Sequence, residues 1–110
     1  MRGCRSVDTI ARVRRPSFSA QPVDESFLDT APTRLSETFQ VARPAADVWA
    51  ELTADNPLEW CRIVDRIEWT SPRPLGVGTT RTVRSLKGMS VLDERFFRWE
   101  EGTRKSFGVY

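Results

Sequence analysis

The chain has 110 residues, 39% of them apolar and 29% charged, and a formal net charge of +2. That length holds one domain at most, and so small a charge gives no reason to expect nucleic acid or an anionic membrane as a partner. No apolar run approaches the roughly 18 residues that span a bilayer, and the start lacks the apolar stretch of a secretory signal, so a cytoplasmic location is expected.

Side-chain chemistry narrows the field further. Cys4 and Cys61 are too few for a disulfide framework and match no zinc spacing. There is no histidine, which removes imidazole metal ligands and any nucleophile activated by histidine. No metal and no cofactor is expected. Proton transfer, if any occurs, falls to Asp, Glu, Lys, Arg, Tyr or water.

Residues 1–33 differ from the rest. Arg2, Arg5, Arg12, Arg14 and Arg15 face Asp8 alone before Pro16, and then Asp24, Glu25 and Asp29 follow with no basic residue up to Thr33. Pro16, Pro22 and Pro32 punctuate the stretch and its apolar residues keep no period. It buries too little to offset ordering entropy, so 1–33 is expected to be a flexible extension with a solvated, arginine-rich start. Phe18, or Phe27 with Leu28, is the part able to dock on the domain that follows.

From Arg34 the pattern is regular. RLSETFQV, residues 34–41, alternates Leu35, Phe39 and Val41 against Ser36, Thr38 and Gln40 and predicts a strand. In RPAADVWAELT, Ala45, Val48, Trp49 and Leu52 form one helical stripe, Asp47 suits the first turn, and the helix must stop before Pro57. PLEWCRI predicts a second short helix, with Asp55 or Asn56 as its cap. VDRIEWTS, TTRTVRSLK, SVLDERFFRW and TRKSFGVY read as four further strands. The connections are a Pro/Gly-rich loop, a KG turn and an EEG turn, so the strands form antiparallel hairpins. The whole predicts an α+β fold.

Several features invite functional readings. GVGTT, Gly76–Thr80, lacks the spacing and lysine of a phosphate loop and leads into a strand, so its glycines read as opening a strand or bulge. Asp93 and Glu94 are adjacent on a strand and point to opposite faces, one inward and one to solvent. Trp49, Trp60, Trp69 and Trp99 can anchor a small core, each large apolar side chain contributing about 1.5–3 kcal/mol when buried. Trp49 is expected in the core, whereas Trp60 either packs there or lines a pocket mouth. Arg81, Arg84, Arg95 and Arg98 alternate with apolar residues, and a solvated outer face accounts for most of them.

Residues from about 35 to 110 resemble the polyketide cyclase/dehydrase and lipid-transport family of the START-like, SRPBCC superfamily. The matching pieces are "V-x-x-P" closing the first strand and "P-x-x-D-V-W" opening the helix. A tryptophan-bearing second helix follows, then "G-V-G-T-x-R" at the start of a strand and "E-R-x-x-x-W-x-x-G" at a hairpin. The resemblance implies a helix-grip fold, a seven-stranded antiparallel sheet around a long C-terminal helix, with two short helices between strands one and two. On that template residues 34–110 form a partial domain lacking the last strands and the long helix. Its concave face is expected to carry Phe39, Val83, Phe96 and Phe107.

The same resemblance implies a cavity for a hydrophobic small molecule, such as a lipid, a sterol or a polyketide. Trp60, Val83, Glu94, Phe96 and Phe107 are the candidates to line it, and Arg81 meets a ligand carboxylate if it faces inward. An enzyme of the cyclase/aromatase type is the alternative, with Glu94 the acid that moves protons. A third reading is an interaction module whose exposed sheet edge recruits a partner, a second copy included, by strand addition.

Overall fold

A computed structural model of the chain describes residues 17–110, so the arginine-rich start and Cys4 lie outside the described residues. Four strands make one sheet in the order β1-β2-β3-β4. They are β1 (Val64–Trp69), β2 (Thr80–Ser85), β3 (Ser90–Glu100) and β4 (Arg104–Val109). Each pairs antiparallel with the next, as the short connections require. Helix α1 (Phe27–Thr30) precedes the regular part of the chain, and helix α2 (Ala45–Leu52) precedes β1. The fold is therefore α+β and helix-grip-like in class.

Register follows from the two-residue period. Ile67 sits opposite Val83, Arg81 opposite Glu94, and Phe96 opposite Phe107. Ile67, Val83 and Phe96 are buried on that face. The β2–β3 connection is wider than the expected KG turn: Leu86–Met89 join Ser85 to its partner Ser90. Leu86, Lys87 and Gly88 take left-handed φ of 54°, 56° and 82°, and the Gly88 N–H donates to Asp65 Oδ2 at 2.9 Å. GVGTT opens β2 as expected, with Gly78 donating to the Phe96 carbonyl at 2.8 Å and Phe96 donating to that of Thr79 at 2.9 Å.

Two expected elements are absent. Residues 34–41 form no strand, and Leu35 and Phe39 are 97% and 78% exposed. Alternation alone does not make a strand, since backbone pairing is the condition, and these residues pair with neither sheet edge. Phe39 is accordingly missing from the concave face. PLEWCRI is a run of turns, because Leu58 takes φ of 61°, which a right-handed helix excludes. Only α2 lies between residues 34–41 and β1.

Polar contacts tie the residues just after α2 to the end of β1 and to the loop that follows it. The Trp69 indole donates to the Ala54 carbonyl at 2.7 Å, and Arg73 Nη2 donates to the Thr53 carbonyl at 2.8 Å. On the opposite face Pro22–Val23 crosses β3 and β4, where Val23 meets Gly108. Arg98 pairs with Glu25 beside it. The docking expected of Phe18, or of Phe27 with Leu28, is thus made by Val23, and Phe18, Phe27 and Leu28 are 87%, 44% and 38% exposed. Among the described residues no helix is long and apolar enough to cross a membrane.

Candidate functional site

Cross-strand register places two charges in the middle of the apolar face. Arg81 and Glu94 are 6% and 4% exposed, and Arg81 Nε donates to Glu94 Oε2 at 2.5 Å. Asp93, the neighbour of Glu94, points outward and accepts from Thr82 Oγ1 at 2.7 Å. Three rings surround the guanidinium: its Cζ lies 5.4 Å from the centroid of Trp69, 5.0 Å from Phe96 and 5.1 Å from Phe107. A weakly hydrated, planar cation suits such a box, and its carboxylate partner offsets much of its desolvation.

A bulge in β3 extends this face toward α2. Pairing shifts between Phe96 and Arg98, so the extra residue, Phe97, turns toward Gly108 on the far side. Trp99 is thereby returned to the near side, edge-to-face with Phe96 at 5.1 Å. Trp49 of α2 packs edge-to-face on Trp99 at 5.5 Å. Both indoles donate to Glu101, Trp49 to Oε1 at 2.9 Å and Trp99 to Oε2 at 2.7 Å. Those two donors, Trp99 first, hold the Glu101 carboxyl below the ordinary glutamate range.

Between α2 and β4 lies an open groove of about 650 Å3, walled by Val48, Trp49 and Leu52 on one side and Phe107 on the other. Trp49 is half-buried on it, not sealed in a core. Lys105 lies in its floor, its Nζ 5.2 Å from the Phe96 centroid. Burial pushes the Lys105 ammonium down to about 8, the positive charge of Arg81 adds to the fall, and Glu94 opposes it. Arg43, at the mouth, donates to Glu51 at 2.5 Å.

Five of the six residues singled out in the sequence share one face. Arg81, Val83, Glu94 and Phe96 are buried within it, and Phe107, 42% exposed, forms groove wall. Trp60 is apart from them, 66% exposed in the turn after Leu58. Arg81 does face inward, as its proposed contact with a ligand requires, but its Nε is engaged by Glu94. Lys105 is a member of this face that no motif in the sequence marks. The signal was its place two residues before Phe107 in an alternating strand, which sets both on one face. Among the described residues no three His, Cys, Asp or Glu side chains converge as metal ligands would.

A profile of the family described as "Polyketide cyclase / dehydrase and lipid transport" matches residues 32–109. Similar curated proteins are the uncharacterized proteins Mb2604 of Mycobacterium bovis and Rv2574 of Mycobacterium tuberculosis. Each is 36% identical over 92 residues, covering 82% of this chain and 54% of its own length. The chain thus spans about half the length of these relatives. No solved structure gives a significant match.

Proposed function

The chain belongs to the polyketide cyclase/dehydrase and lipid transport family, and we propose that it binds a hydrophobic small molecule in the groove between α2 and β4. The observation that carries this reading is the groove, whose volume of about 650 Å3 falls within the 300–1,000 Å3 range common for ligand sites. Its walls are largely apolar and a single half-buried ammonium sits in the floor. Apolar burial supplies affinity, and few polar groups fix orientation.

An enzyme of the cyclase/aromatase type asks for a free acid in the groove. Glu94, the acid it would use, is engaged by Arg81 and does not line the groove. Among the described residues β1 and β4 are the outer strands of the sheet, and this supports strand addition between copies as a second reading.

A titration with Nile red tests the primary reading. Emission is expected to rise and shift to the blue on binding, with Trp49→Ala weakening affinity about tenfold, as loss of a large apolar contact does. Unchanged emission, or affinity untouched by Trp49→Ala, would sink the groove as the site.

A further inference from the structure

We infer that the groove receives an amphipathic acid, an apolar chain ending in a carboxylate, and that Lys105 binds its head group. This rests on the groove being the ligand site and adds the chemistry of what it takes. Arg43, Arg104 and Lys105 are the charged residues of the lining, and all three are basic. Arg43 and Arg104 are exposed, whereas Lys105 is half-buried.

The buried charges do not balance. Arg81 and Glu94 satisfy each other, and Lys105 makes no ion pair among the described residues. It stands close enough to Arg81 for that charge to lower its proton affinity. A half-buried ammonium beside another cation, without its own counter-ion, is a destabilising arrangement. A ligand carboxylate corrects it, accepting charge-assisted hydrogen bonds from Nζ while its chain covers Trp49 and Phe107. A neutral ligand of the same shape leaves the deficit in place.

The test compares dibromostearate with its methyl ester as quenchers of tryptophan fluorescence, since Trp49 lines the groove. At neutral pH the acid is expected to saturate at a concentration about tenfold lower than the ester, the scale of one charge-assisted contact. Lys105→Met should erase that preference while still binding the ester, which shows that the variant is folded. Lys105→Arg should keep it. Equal affinity for acid and ester, or a preference that survives Lys105→Met, overturns the head-group assignment alone. Quenching by neither compound overturns the ligand site and this inference together.

Discussion

The pairing of Arg81 with Glu94 sets the energetics of the sheet's inner face. Both are nearly inaccessible, so removing one charge strands the other in an aromatic box. Glu94→Gln is expected to cost about 3–5 kcal/mol, measured as a drop in the urea midpoint, whereas the double replacement Arg81→Met with Glu94→Leu should be far milder. Lys105 adds a pH dependence. Its ammonium releases its proton near 8 in the folded chain, against an ordinary value of 10.5, so the unfolded chain holds more protons between those values. Stability should therefore rise as pH climbs through that window, and the destabilisation is fully present below it. Urea melts across the window should show this rise, and Lys105→Met should remove it and stabilise the chain at neutral pH. At this scale the inward position of one carboxyl of the Asp93–Glu94 pair was legible, because alternation forces it. The pairing of Arg81 with Glu94 was not, since it depends on register between strands.

Among the elements, what was legible is what is local. The β2–β3 and β3–β4 hairpins follow from short connections, and α2 follows from its stripe and the proline beyond it. Residues 34–41 carry an alternation broken at Glu37 alone, yet a strand there needs a distant edge that local pattern does not specify. The turns at 57–60 depart from the expected helix for a different reason: left-handed Leu58 is a conformation that a leucine codes for poorly. The segment around Val23 shows how a single residue fixes an element's place. A Cβ built on Gly108 would lie 2.9 Å from Val23 Cγ2, so a side chain there must displace Val23 from its seat on β4. Gly108→Val is expected to lift residues 17–26 from the sheet, an overpacking cost of about 1–3 kcal/mol. Limited proteolysis should then cut that segment faster while the β2–β3 hairpin stays protected. Unchanged cleavage would mean that the segment is not held by this contact.

The described residues bury little apolar surface, with Ile67, Val83 and Phe96 as the buried hydrophobic core. Their radius of gyration is 17.1 Å, against about 13 Å for a compact domain of 100 residues. Leu35, Phe39 and Val41 are 97%, 78% and 51% exposed, on a segment with a strand's alternation and no pairing partner among the described residues. Edges β1 and β4 each leave one row of backbone donors and acceptors without a strand partner among the described residues. An alternating segment and a free edge are complementary, and on separate copies they can meet by strand addition, which satisfies the backbone groups and buries the apolar side chains. Sedimentation velocity should therefore show the 110-residue chain associating as its concentration rises through the micromolar range. Introducing charge where the apolar side chains would be buried, Leu35→Lys with Phe39→Lys, should shift the distribution toward monomer without altering the far-ultraviolet spectrum of the sheet. A chain that stays monomeric throughout, or a double variant that associates as the parent does, would remove residues 34–41 from that role.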